Sequence, residues 1–247
     1  MRAVTTFIAA LYSVVLLVAF SQNALAEASK PVHAQFSDSV LTKAHSDRLS
    51  QYPSLQPAPL HLGCRKPDAT TLAAIVRVAT DHGSHASGVI FDTNRVLTAA
   101  HAVQGAGHFF VSVAGAYRSA DLVRVDHAHD LAVLAVNTSS VAPLLVSGFS
   151  PRVFSPVWAA GYPRAEEMST SMGVFQEIAN GALHSSAEID PGQSGGGLLS
   201  CSDGQWSLVG MLRGYGAYHN GDHYVKLENH SVSVAGTTIN TFLQSYY

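Results

Sequence analysis

The chain has 247 residues, 47% hydrophobic and 13% charged, which is enough for one substantial core or two small barrels and too apolar for a disordered chain. Its formal charge of −3, with Lys and Arg spread unremarkably, leaves no footprint for binding nucleic acid. Glycine (20) and proline (10), set among many Val, Thr, Ser and Tyr, favour short strands joined by turns over long helices.

At the amino terminus Arg2 precedes a mostly apolar stretch from Val4 to Phe20, and Ala24-Leu25-Ala26 is a small-x-small cleavage site. This is the pattern of a signal peptide spanning residues 1–26. The run is interrupted by Thr5, Thr6 and Ser13 and falls short of the roughly 20 apolar residues a spanning helix needs. A secreted or periplasmic chain that is soluble after cleavage is therefore expected, without a membrane partner. Residues 27–63 are polar and punctuated by Pro31, Pro53, Pro57 and Pro59, with a short helix expected around Ser39 to Leu49. They read as an arm or pro-segment ahead of a folded domain at 64–247.

Within that domain Leu72–Val78 is predicted as a strand, and Ala86–Phe91 turns through Asp92-Thr93-Asn94 into Arg95–Thr98 as a hairpin. Further strands are predicted at Phe109–Ala114, Ser119–Val125, Leu131–Val136, Val157–Gly161, Ser171–Ile178, Ala182–Ser186, Gly197–Cys201, Ser207–Arg213 and His223–Lys226. Their close spacing leaves little room for crossover helices, so an all-β barrel or sandwich is favoured over alternating α/β. A Pro- and Gly-rich break at Val141–Phe154 divides the domain into halves of about 64–145 and 146–247. Ile239, Phe242, Leu243 and Tyr246 recur at helical spacing, which predicts a C-terminal helix.

Two cysteines, Cys64 and Cys201, suit one disulfide in an exported protein, with two separate buried thiols as the alternative. The pairs His127/His129, His82/His85 and His219/His223 have suggestive spacings but no accompanying cysteine or carboxylate cluster. They read as solvated loop histidines, and neither a metal nor any other cofactor is expected.

Three segments could carry chemistry. Ser194 lies in Asp190-Pro191-Gly192-Gln193-Ser194-Gly195-Gly196-Gly197, where Gly192 permits a backbone turn that aims its own N–H and that of Ser194 at one oxygen. A serine is a weak nucleophile unless a base and such donors surround it. His101 closes the apolar run Val96-Leu97-Thr98-Ala99-Ala100, whose last small residues leave space for an imidazole. Asp130 opens the apolar run Leu131-Ala132-Val133-Leu134. Taken singly, each also fits a bland role: a flexible glycine loop, a structural histidine, a strand-start aspartate.

Together and in this order, Thr98-Ala99-Ala100-His101, Asp130-Leu131-Ala132-Val133-Leu134 and Gly192-Gln193-Ser194-Gly195-Gly196 resemble the signature blocks of chymotrypsin-fold (trypsin-like) serine peptidases. Ala160-Gly161-Tyr162-Pro163, Thr170–Val174 and Ile189–Ser194 resemble the bacterial heat-shock-type branch, with no PDZ-like module following. The resemblance implies two six-stranded antiparallel β-barrels with a C-terminal helix, and serine endopeptidase activity on protein or peptide substrates. It further implies a triad of His101, Asp130 and Ser194, with the amides of Gly192 and Ser194 as oxyanion hole. It also puts the pocket for the residue before the cleaved bond near Gly210–Gly214 and its base at Glu188. Glu188, Arg213 and Gly214 would then shape side-chain preference: small aliphatic if Glu188 turns outward, basic if inward, acidic if Arg213 presents its charge.

Two rival readings remain. The segment Gly192–Gly196 also satisfies the G-x-S-x-G pattern of α/β-hydrolase esterases, although those place the serine before a helix and order their triad differently. A catalytically inactive, protease-like binding protein is the other. Nothing in the sequence assigns an oligomeric state.

Overall fold

A computed structural model describes residues 64–245. The expected signal peptide, the polar arm and the short helix at Ser39–Leu49 lie outside the described residues. The first element is not the expected strand at Leu72 but a one-turn helix, α1 (Ala69–Ala73), followed by β1 (Ile75–Thr80). The Asp68 side chain caps α1 by accepting from Thr71 N at 2.7 Å, a local bond that outweighs the strand-like run Leu72-Ala73-Ala74.

β1 opens a closed six-stranded barrel with β2 (His85–Asp92), β3 (Arg95–Ala99), β4 (Phe109–Val113), β5 (Ala116–Asp126) and β6 (Leu131–Ala135), ordered β1-β2-β3-β6-β5-β4. A second closed barrel follows: β7 (Pro156–Gly161), β8 (Ser169–Ala179), β9 (Ala182–Ser185), β10 (Gly197–Ser202), β11 (Gln205–His219) and β12 (Tyr224–Ala235). Its order is β10-β11-β12-β9-β8-β7, and every strand pairing in both barrels is antiparallel. One turn of helix, α2 (Ala100–Val103), continues β3, and α3 (Gly236–Gln244) ends the described chain, burying Ile239 and Phe242. This all-β architecture removes the α/β-hydrolase alternative, because Ser194 leads into strand β10 and not into a helix.

β11 and β12 run farther than expected. The expectation stopped at Lys226 because Glu228-Asn229-His230 breaks the apolar alternation, yet the ladder resumes at Ser231↔Tyr215 after an irregularity. Short strands filled by Val, Leu and Ile close each barrel around its own interior. Val89, Val96, Leu97, Val111 and Leu134 are fully buried in the first barrel, and Val157, Leu183, Leu198 and Leu212 in the second. Cys64 and Cys201 form a disulfide across 137 positions of sequence, tying the entry of the domain to β10. Among the described residues no helix is long and apolar enough to cross a membrane.

Candidate active site

Register delivers His101 and Asp130 to the same place. β3 and β6 are neighbours with Ala99 opposite Leu131, so the residue just before β6 faces the start of α2, and Ala100 N donates to Asp130 O at 3.1 Å. Asp130 adopts a left-handed backbone (φ 60°), which an aspartate tolerates better than most residues and which turns its carboxylate back toward His101. That carboxylate accepts from His101 N (2.9 Å) and faces ring Nδ1 through both oxygens, at 3.0 and 2.9 Å. The contact orients the ring so that Nδ1 carries its proton toward Asp130 and Nε2 is free to accept. Burial alone pushes the Asp130 carboxyl up. Hydrogen bonds from the His101 ring and amide, the charge of that ring and that of Arg213 outweigh burial and hold it below the usual carboxylate range.

Ser194 comes from the second barrel but is fastened to the first: its carbonyl accepts from Ser87 N on β2 at 2.8 Å. Gly195 (φ 84°) lies so close that a Cβ there would stand 2.1 Å from Ser87 O and 3.0 Å from Ala99 N, two residues before His101. The Ser194 hydroxyl donates to Arg213 O at 3.2 Å, and among the described residues no hydrogen bond joins it to His101. Bonds of this kind are often long or absent without substrate and tighten in the complex.

The loop before Ser194 is held on several sides. Gly192 has φ 95°, and a Cβ there would sit 2.7 Å from both Arg164 N and Tyr162 O. Pro191 O accepts from Arg164 N (2.8 Å), so the trans peptide turns the Gly192 N–H the opposite way. Ser87 Oγ donates to Gly192 O (2.9 Å) and accepts from Tyr162 N (2.8 Å). The buried Gln193 side chain folds back to accept from Asp190 N at 2.7 Å, while Asp190 Oδ1 meets Lys226 Nζ at 3.0 Å and Arg164 at 3.7 Å. Arg164 and Ala165 both have positive φ, a strain found where a backbone is shaped for a task.

The family model for the trypsin-like peptidase domain matches residues 86–211, which run from β2 into the first half of β11. The chain belongs to the trypsin-like peptidase family. Among solved structures it is similar to the serine endoprotease of Yersinia pestis (TM-score 0.62, 21% identity), covering 73% of this chain and 67% of that one. A protease of M. tuberculosis in an inactive form gives a TM-score of 0.61 at 20% identity, with 77% and 96% covered. The HtrA-type protease AlgW with a tripeptide gives 0.63 at 21%, with 72% and 61% covered. At these identities the likeness is one of fold. No curated protein sequence matches this one significantly.

For a trypsin-like peptidase the remaining expected pocket residues fall in telling places. Glu188 is exposed, its carboxylate accepting from Asn229 N at 3.2 Å and its carbonyl from the Ser171 hydroxyl. The alternation explains this: Leu183, Ser185, Ala187 and Ile189 are buried, so Glu188 is on the outer face. Arg213 does not meet Glu188 either; its Nε lies 3.4 Å from Asp130 Oδ2. Gly214 is opposite Val232 on the β11–β12 ladder, with nothing within 4 Å of a Cβ placed on it. Sequence reasoning missed Ser87, Arg164, Gln193 and Lys226 as loop supports. Only Ser87 carried a signal, as the one hydroxyl in the apolar run Ala86–Phe91.

Proposed function

We propose that this peptidase is a serine endopeptidase, exported after cleavage of residues 1–26, with 27–63 as an arm or pro-segment and 64–247 as the peptidase domain. His101 Nε2 takes the proton of Ser194 as Oγ attacks the peptide carbonyl; Asp130 keeps the ring in the useful tautomer and stabilises its charged form. The N–H groups of Gly192 and Ser194 receive the charge that develops on the carbonyl oxygen. His101 then passes its proton to the departing amine, and water, deprotonated by His101, hydrolyses the acyl-enzyme and regenerates the Ser194 hydroxyl.

The observation that carries the reading is the Asp130–His101 pair, whose carboxylate holds both the main chain and the ring of the base beside the Gly195 turn. With Glu188 outward and Ile189 and Leu212 buried nearby, a small aliphatic side chain before the cleaved bond is the preference this geometry supports. A fluorophosphonate probe tests the nucleophile: the mature protein should gain one adduct, mapped to Ser194 and absent in Ser194→Ala and His101→Ala. No adduct, or one elsewhere, would favour the protease-like binding protein.

A further inference from the structure

A cleft of about 500 Å³ opens against the His101–Asp130 pair, lined by Ala100, His101, Gln104, His127, Asp130 and Arg213. Its lining divides by hydrogen-bonding commitment. Asp130 is engaged by the amide and ring of His101 and by Arg213 Nε, and its side chain is only 8% exposed. Arg213 is half exposed, and that one contact to Asp130 engages only Nε, so the terminal guanidinium nitrogens have no hydrogen-bond partner among the described residues. The side chains of Gln104 and His127 have none there either. The nearest other acid in sequence, Asp126, is already taken by His129 at 2.7 Å.

The cleft therefore offers one uncommitted cation, Arg213, beside two side chains that can donate or accept, Gln104 and His127, and no uncommitted carboxylate. A guanidinium is all donor, always charged and planar, and matches a carboxylate better than any neutral or cationic group. A Lys or Arg side chain entering here would meet Arg213 and find no free carboxylate. Any peptide whose scissile carbonyl reaches Ser194 must also bring its leaving nitrogen within reach of His101, so a side chain flanking that bond lies over this cleft. Resting on the serine endopeptidase reading, we propose that the cleft beside His101 is a subsite for an acidic side chain of the substrate, bound by Arg213 with His127 and Gln104.

Binding separates this inference from the chemistry. In Ser194→Ala full-length protein, peptides differing only by Asp, Asn or Lys at each position flanking the cleavable bond are titrated by calorimetry. At one position Asp should bind about tenfold more tightly than Asn, and Lys more weakly than Asn, with the spread narrowing as salt rises. The Asp preference should vanish in Ser194→Ala/Arg213→Gln, persist in part in Ser194→Ala/Arg213→Lys, and shrink in Ser194→Ala/His127→Phe. Equal binding of all three peptides at every position, or a preference that survives Arg213→Gln, would overturn the subsite. Turnover of the same peptides by the unaltered protein is the second arm. Acid-selective binding without turnover would sink the endopeptidase reading and leave the subsite standing, whereas turnover with no acid preference would do the reverse.

Discussion

The two barrels contribute to the candidate site by different physical means. In the first, His101 and Asp130 leave adjacent strands whose register already sets them side by side, and the carboxylate that joins them is buried. In the second, Ser194 and the loop ahead of it owe their shape to side chains far away in sequence: Ser87 from β2, Arg164 from the turn after β7, Lys226 from β12. Asp190 and Lys226, which close that clasp, are both partly exposed to solvent. The proposed acid–base half is thus a product of sheet closure and should be stiff. The nucleophile half combines the buried Ser87 and Gln193 contacts with the partly exposed Asp190–Lys226 ion pair, which is worth little by itself and is the part that solution conditions and mutation can tune.

The largest expected effect tests the stiff half. Asp130→Asn, a residue equally at home at φ 60°, should fold normally yet lose about 10⁴-fold in kcat, because the ring then adopts the wrong tautomer. A loss of less than tenfold would mean that Asp130 does not orient His101. The same variant sharpens the electrostatics. Because the folded carboxyl sits below its ordinary value near 3.8, its contribution to stability is present above that pH and lost as pH falls through the lower folded value. Thermal midpoints of the parent and Asp130→Asn should therefore differ most above about pH 4 and converge in more acidic solution.

Next in size is the covalent tie. Replacing both partners, Cys64→Ser/Cys201→Ser, frees a loop of 137 positions and should cost about 5 kcal/mol in urea unfolding on the chain-entropy account. Since the bridge secures β10 to the start of the domain and touches neither half of the site, turnover of the still-folded fraction should be unaffected. An unchanged urea midpoint would refute this assignment of its role.

Two smaller effects probe the tunable half. Gly192→Ala puts a Cβ against Arg164 N and Tyr162 O and forces the peptide to turn, so kcat should drop about 10²- to 10³-fold while substrate affinity changes little. An equal loss in binding of ground-state peptides would argue for general damage instead of a lost oxyanion donor. Lys226→Met should lower kcat only up to about fivefold, as suits a partly exposed ion pair of about 1 kcal/mol, with Lys226→Arg restoring it and added salt mimicking the loss. If KM rises while kcat stays constant, the clasp shapes substrate contact and not the loop.

From the sequence alone came the alternating strands, the break between halves and the three blocks bearing His101, Asp130 and Ser194, because each is written in a short window: period-two alternation, a glycine where a turn needs one, small residues beside a histidine. The pairing of Cys64 with Cys201 was also within reach, there being no other cysteine. Tertiary structure decided the rest. Glu188 points outward because the buried positions of 183–189 fall on the opposite phase, and Arg213 meets Asp130 because packing of one barrel on the other brings β11 against β3. Apart from Gln193, the supports of the Gly192 turn come from residues far away in sequence, Ser87 lying 105 positions off, and only the tertiary fold brings such distant groups within hydrogen-bonding distance.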